Sequence, residues 1–258
     1  MVLAKGDFVR INYTGRIKET GEVFDTTSEE VAKKEGIYDP QITFKPQPIV
    51  IGAGHVLPGL DKALVGAEVG EEKHITVPPE EGYGIRDPSK VKVIPLREFK
   101  KQGIKPVPGM RIEMDDAIGR VQSVSGGRVR VDMNHGLAGK VLEYDVTVLE
   151  KTNKTEEKIR QLLELHFPYA DPHEHEIKIK GDTVEITLPD TVKLNPAAGV
   201  GKFSTSRDIF TFVEGIDRVD FREVHRRLVP SKGSKPKKAP SRKGAGKKTG
   251  TRKKPKEA

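Results

Sequence analysis

The sequence predicts an α+β fold, and three patterns carry that reading. Apolar and polar residues alternate strictly from Val9 to Tyr13 and again from Leu142 to Val148. One short helix is punctuated by Pro58 and Gly66, and a helix, hairpin, helix and strand follow Lys151. At 258 residues the chain is long enough for two or more compact units.

In order along the chain, Val9, Ile11 and Tyr13 share one face and Arg10 and Asn12 the other, ahead of Thr14-Gly15. Val23-Phe24-Asp25 follows the Thr20-Gly21 turn, so these are two antiparallel strands. Thr27 and Glu30 have capping-box spacing for a short helix through Lys34, and a Pro-rich passage leads to a strand at Ile49-Val50-Ile51. In PGLDKALVG, Pro58 fits a first helical turn, Gly66 a C-terminal cap, and Leu60 and Leu64 point inward. A strand at Lys73–Val77 and one at Leu142–Val148 belong to the same sheet.

Between these last two strands the pattern changes. Pro95–Gly103 reads as a short helix, and Arg111–Met114, Gly119–Val124 and Arg128–Met133 read as strands separated by Asp-Asp and Ser-Gly-Gly turns, which predicts a small inserted β-rich domain. Beyond Lys151, Asn153 is placed to cap a helix carrying Ile159, Leu162 and Leu163. A hairpin around Gly181-Asp182, a helix near Ser206–Val213 and a strand near Arg218–Val224 complete an αββαβ unit.

Composition excludes several chemistries. With no cysteine there is no disulfide framework, thiolate metal site or cysteine nucleophile. No apolar run reaches the ~18 residues of a membrane span and the first residues lack a secretory h-region, so a cytoplasmic protein is expected. The net charge of +8 is uneven: residues 231–258 hold 12 of the 46 basic residues and one of the 38 acids, leaving the remainder at −3. That Lys-rich tail has no Leu, Ile, Val or aromatic residue and is expected to be disordered. Two readings of it stay open, an electrostatic arm for nucleic acid or ribosome and a solubilising tail without aromatics to stack on bases.

Gly52-x-Gly54 after a strand invites a dinucleotide-binding reading, but Leu57 stands where the third glycine belongs, and a turn that needs glycine freedom explains the pattern better. His173 and His175 would share one face of a strand and are weak metal candidates beside Asp171, lacking a third convincing ligand. G-x-S-x-G, H-E-x-x-H and Walker patterns are absent. What remains is Tyr13-Thr-Gly, Val23-Phe24-Asp25, Gly54-His-Val56-Leu57-Pro-Gly59-Leu60, Gly82-Tyr83-Gly84 and Tyr144-Asp145-Val146. From the residues alone, Phe24 and Tyr144 read as core and Tyr83 as a loop anchor, while Asp25 at a strand end is the odd member.

In these motifs, and in their order, the sequence resembles the FKBP family of peptidyl-prolyl cis/trans isomerases. The region after Gly-Tyr-Gly and the return through Asn134–Gly139 resemble the SlyD-like branch, with a chaperone domain inserted in the flap. With the αββαβ unit the chain resembles a long archaeal form. The resemblance implies a bent antiparallel sheet around a short helix from residues 1–86 and 136–152, an insert-in-flap domain at 87–135, a C-terminal domain at 153–229 and the tail at 230–258. It implies Asp25, Tyr83, Tyr13 and Phe24 as catalytic residues and Val56, Leu57, Leu60 and Tyr144 as substrate-binding walls. Leu60 replaces the tryptophan floor and Tyr144 the phenylalanine wall of the best-known small members. The expected substrates are unfolded or partly folded polypeptides containing X-Pro bonds, with no cofactor, and the resemblance also suggests a homodimer through the C-terminal domain. Ile94, Leu96, Phe99 and Met110 are candidate chaperone contacts, or else they fill the insert's own core. The alternative is a non-catalytic Pro-segment binding module tethered to RNA or ribosome by its basic tail.

Overall fold

The computed structural model describes residues 2–114 and 117–225. β1 (Phe8–Ile17) does not stop at Thr14-Gly15 but runs through both to Ile17. It is followed by β2 (Val23–Thr26), α1 (Glu29–Lys34) and β3 (Gln47–Val50). The cap of α1 is Ser28, not Thr27. The Thr27 hydroxyl is taken up by the Tyr13 backbone N–H at 2.9 Å and by Asn12, so the next hydroxyl caps the helix through the Val31 N–H. α2 (Pro58–Leu64) and β4 (Glu72–Val77) come next. A β-carbon on Gly59 would lie 2.8 Å from Val77 Cγ1, so glycine lets α2 settle directly on β4.

Residues 91–132 form β5 (Val91–Pro95), α3 (Leu96–Lys101), β6 (Arg111–Met114), β7 (Ala117–Ser125) and β8 (Arg128–Asp132). β5 carries no strict alternation; antiparallel pairing with β8 makes it a strand. The chain then returns through β9 (Leu142–Thr152). After it, α4 (Thr155–His166) is preceded by Lys154, whose side chain makes no cap, rather than by a capping Asn153. β10 (Glu176–Lys180), β11 (Thr183–Thr187), α5 (Asp190–Lys193), α6 (Ala198–Phe212) and β12 (Arg218–Arg222) follow. α6 begins eight residues before the expected start, because Gly199 and Gly201 weaken the sequence signal while close packing on α4 supports the helix.

Among the described residues there are three sheets. The first runs β2-β1-β9-β4, with β3 on β1 beside β2, so β1 pairs with β3 through its first half and with β2 through its second. The second runs β5-β8-β7-β6, and in the third β11 lies between antiparallel β10 and parallel β12. Separated helices and largely antiparallel sheets make the fold α+β.

Each sheet has its own core. Val9, Ile11, Leu60, Leu64, Tyr144 and Val146 pack between the first sheet and α2. Phe99, Ile112, Val121, Val129 and Val131 fill the second. Phe8 and Val50, on the opposite face of the first sheet, join Ile159, Leu162, Phe167, Ile186 and Ile209 in the third. β1 is therefore buried on both faces at its start, and the region from α4 to β12 packs against it. Among the described residues no helix is long and apolar enough to cross a membrane. The Lys-rich tail lies outside the described residues.

Candidate active site

Tyr13 leaves β1 on the side opposite Asn12 and faces the end of β2, where Asp25 stands exposed. The Tyr13 hydroxyl donates to Asp25 Oδ2 at 2.8 Å and lies 3.2 Å from the Gln47 side-chain amide. Tyr144, from the neighbouring β9, presents its ring edge to Tyr13 at 6.0 Å and to Phe24 at 5.8 Å. Gly15 makes this packing feasible, since a β-carbon there would meet Phe24 Cζ and Tyr144 Cε1, each at 2.8 Å. Tyr83 comes from the short turn after β4 and stands edge-on to Phe24 at 6.4 Å.

A cleft of about 410 Å³ opens among these side chains. Its apolar floor and wall are Val56, Leu57 and the buried Leu60, supplied by the start of α2 and the loop before it. That loop is fixed from below by Asp61, whose carboxylate accepts the N–H groups of Gly52 at 2.7 Å and Gly54 at 3.1 Å. Both glycines have positive φ, so the Gly-x-Gly pattern is a structural turn in the wall of the cleft. Tyr13, Asp25, Val56, Leu57, Leu60, Tyr83 and Tyr144 all line the space, and Phe24 backs Tyr83 and Tyr144 from behind.

Burial first, then the facing Asp25 carboxylate, pushes the Tyr13 and Tyr83 hydroxyls up from their ordinary range. Burial, followed by Tyr83 and Asp25, does the same to Tyr144. All three phenols are therefore proton donors at neutral pH, directed at a space with one acid at its rim.

Three residues of the site were given no role by the sequence, although His55 and His135 lie within its motifs. Gln47 reaches it through β3 pairing. His135 stacks on Tyr83 with ring centres 4.3 Å apart and planes at 14°, joining the cleft to the neck of the second sheet's domain. That neck is closed by Asn134, which accepts from the Asp87 N–H at 2.9 Å and donates to the Asp87 carbonyl at 2.9 Å. His55, the third, sits in the cleft wall but bonds away from it: Nδ1 accepts the Val50 N–H at 3.1 Å and Nε2 lies 3.0 Å from Asp208 Oδ2.

His173 and His175 do not share a strand face. Asp171 accepts the His173 N–H at 2.8 Å and starts a short 3₁₀ turn that leaves His173 exposed. His175 is buried against Phe167, with Nδ1 donating to the Asp171 carbonyl at 3.2 Å. The three residues that converge instead, among those described, are His55, His166 and Asp208. They do not fit a metal ion: because His55 Nδ1 accepts a backbone N–H, its neutral form carries the proton on Nε2, the atom that would have to bind the metal. The arrangement is a hydrogen-bonded latch. Burial alone would raise the Asp208 carboxyl, but bonds from His166, His55 and Arg207 outweigh it and hold the group well below the usual carboxylate range.

Of the expected chaperone contacts, Phe99 is buried and Ile94, Leu96 and Met110 are half-buried on the second sheet's core. The large apolar side chains that this domain leaves to water, among the described residues, are Val93, Val107 and Ile118.

Residues 92–137 match the family model described as FKBP26, IF domain, and residues 155–226 match the one described as FKBP26_C-terminal. A short-type peptidyl-prolyl cis-trans isomerase of Methanocaldococcus jannaschii is 38% identical over 57% of this chain and 92% of its own length. The FKBP-type isomerase SlyD of Helicobacter pylori is 34% identical over 48% and 68%, and that of Haemophilus influenzae 34% over 55% and 77%.

Proposed function

The chain belongs to the FKBP-type peptidyl-prolyl cis-trans isomerase family, in its SlyD branch, and from that premise we propose that it turns X-Pro bonds of unfolded or partly folded polypeptides in the Tyr13–Asp25–Tyr83 cleft. The observation that carries the proposal is the convergence of one acid, three phenols and an apolar floor in a single space. Rotation about an X-Pro bond must give up amide resonance, a barrier of ~18–20 kcal/mol, and no bond is made or broken. The twisted amide has less charge separation than the planar one, so an environment that strips water from the imide costs the ground state more than the transition state.

In this reading Val56, Leu57, Leu60 and Tyr144 enclose the proline ring, with Phe24 stiffening the aromatic wall. Tyr83 donates to a substrate carbonyl. Asp25, held by Tyr13, faces the carbonyl that rotates, and that contact strengthens as the amide twists. A ~10⁴-fold acceleration needs about 5.5 kcal/mol, within reach of a few such contacts. No cofactor is called for.

The three cores support a division into an FKBP-like bent sheet from residues 1–86 and 136–152, an insert in the flap at 87–135 and a C-terminal domain at 153–229. The insert acts as the holding chaperone, its contacts being Val93, Val107 and Ile118 together with the half-buried rim of Ile94, Leu96 and Met110. A homodimer through the C-terminal domain is supported by an apolar stripe on α6, where Val200, Phe203 and Phe210 are 70%, 71% and 52% exposed at helical spacing. A cytoplasmic location completes the reading. The non-catalytic alternative, a module held to RNA or ribosome by the tail, draws no support from these relatives, each named an isomerase.

The test is refolding of a proline-limited protein with catalytic amounts of the full chain, its Asp25→Ala/Tyr83→Phe variant, and a chain lacking 87–135. Acceleration by the full chain that the double variant loses supports the site. An unchanged rate with the full chain overturns it. Loss of aggregation suppression on deleting 87–135 assigns the holding role to the insert.

A further inference from the structure

Beside the cleft lies a second space, of about 400 Å³, within the size range of ligand sites. It adjoins the first across the hydrogen-bonded Tyr13, Asp25 and Gln47, which line both. One wall is the segment 41–48, bearing Ile42 and Pro46; the other comes from the end of α4 and the turn beyond it, through Leu165, Pro168 and Ala170. We propose that this groove is an extension of the isomerase cleft that holds the polypeptide flanking the X-Pro bond and selects an apolar side chain there. The inference rests on the cleft being the site of isomerisation.

Three observations fix the chemistry of the occupant. First, the groove is preformed: Glu164 accepts Arg10 Nη2 at 2.7 Å and Lys45 Nζ at 2.6 Å, pinning the segment to α4. Phe44 stiffens the same segment by stacking on Tyr38 with ring centres 5.6 Å apart. Second, the charges at its α4 end are already paired. Glu164 is buried and held below the usual carboxylate range, burial being outweighed by Arg10 and Lys45, so Asp25, at the end shared with the cleft, is among the described residues the one lining charge without a cationic partner. Third, between the polar Thr26, Thr27, Gln41 and Thr43 the lining carries open apolar surface, with Ile42 56% exposed on one wall and the half-buried Leu165 on the other. An extended chain leaving the cleft past Asp25 therefore meets apolar side chains on both walls, Ile42 and Pro46 from segment 41–48 and Leu165 and Pro168 from the end of α4 and the turn beyond it, and a leucine or aromatic residue near the proline gains most from them.

The test compares the full chain on three peptides: a four-residue X-Pro peptide, a version extended on both sides with leucine at the flanking positions, and the same extension with aspartate. Cis/trans exchange by NMR gives kcat/KM, and a fluorescent form of each extended peptide gives Kd. The leucine-extended peptide is expected to exceed the short one about tenfold in kcat/KM, what one largely buried apolar side chain supplies, and the aspartate version is not. Leu165→Asp and the surface change Ile42→Asp should bring the ratio of long to short toward one, and Ile42→Asp guards against a folding defect in α4. No advantage for the leucine extension, or an advantage that survives both variants, overturns the groove. If none of the peptides is turned, the isomerase reading falls, and the Kd series then decides the groove: tenfold weaker binding of the leucine peptide by Ile42→Asp keeps it, and unchanged binding removes it.

Discussion

His55 donates its Nε2 hydrogen to Asp208 Oδ2 across 3.0 Å, and the residue after it is Val56 of the cleft wall. His166 Nε2 meets the same oxygen at 2.7 Å, so α4, α6 and the active-site loop join at one buried carboxylate. The candidate cleft is thereby tied to the region from α4 to β12 by a bond as well as by packing.

Asp208→Asn keeps the shape and removes the charge. Breaking a buried, hydrogen-bonded charge costs about 3–5 kcal/mol, and the loop carrying Val56 and Leu57 loosens. Urea denaturation should show the loss, and peptide kinetics should show KM rising more than kcat falls. The carboxyl is held below its ordinary value, so its contribution is complete above about pH 3.9 and is lost as pH falls through the lower folded value. The carboxylate's own share of the stability difference should therefore persist down to about pH 4 and be lost under stronger acid.

Gly15→Ala places a methyl group against the Phe24 and Tyr144 rings. Overpacking of this kind costs about 1–3 kcal/mol and pushes the rings apart. A lower melting temperature with reduced kcat/KM, and normal affinity of the inserted domain for unfolded chain, is the expected pattern.

Tyr13→Phe removes the hydroxyl that holds Asp25 while keeping the ring against Tyr144. Stability should change by no more than about 1 kcal/mol. Because the bond positions Asp25 for the twisted amide, kcat should fall about tenfold, near 1.4 kcal/mol, with KM little altered. Equal losses for Asp25→Ala and for the Asp25→Ala/Tyr13→Phe pair would place both residues in one pathway.

His175 is 2% exposed, and its Nε2 is buried without a partner. Burial pushes its imidazole below the ordinary histidine value. The folded chain therefore keeps it neutral while the unfolded chain takes up a proton near pH 6.5, so stability falls as pH drops through 6.5 toward the lower folded value. His175→Phe, which preserves a ring beside Phe167, should flatten that part of the pH–stability curve measured by chemical denaturation.

Strands were legible wherever one face is wet: β4, β9 and the middle of β1 alternate because water takes every second residue. β5 was not, because its status comes from pairing with β8. The first turns of α6 were hidden by Gly199 and Gly201, yet Gly201 is there because a β-carbon would lie 2.6 Å from the Phe167 ring. At the site, family motifs brought together Tyr13, Asp25, Val56, Leu57, Leu60, Tyr83 and Tyr144, whereas Gln47 enters through strand register and His135 through stacking on Tyr83, and the role of His55, though it lies in the motif, comes from its distant bond to Asp208. His173 and His175 misled for a local reason. Asp171-Pro172 starts a 3₁₀ turn, and the two rings then part, one to water and one to the core.

The burial of β1 on both faces makes the first sheet's integrity depend on a region more than a hundred residues away. A chain ended after residue 152 would leave Phe8 and Val50 without Ile159, Leu162 and Phe167, an apolar sheet face open to water. Such a face associates with its own kind. The shorter protein would therefore be prone to precipitate even with its cleft residues intact, and the region from α4 to β12 serves the first sheet as a built-in cover in the finished chain.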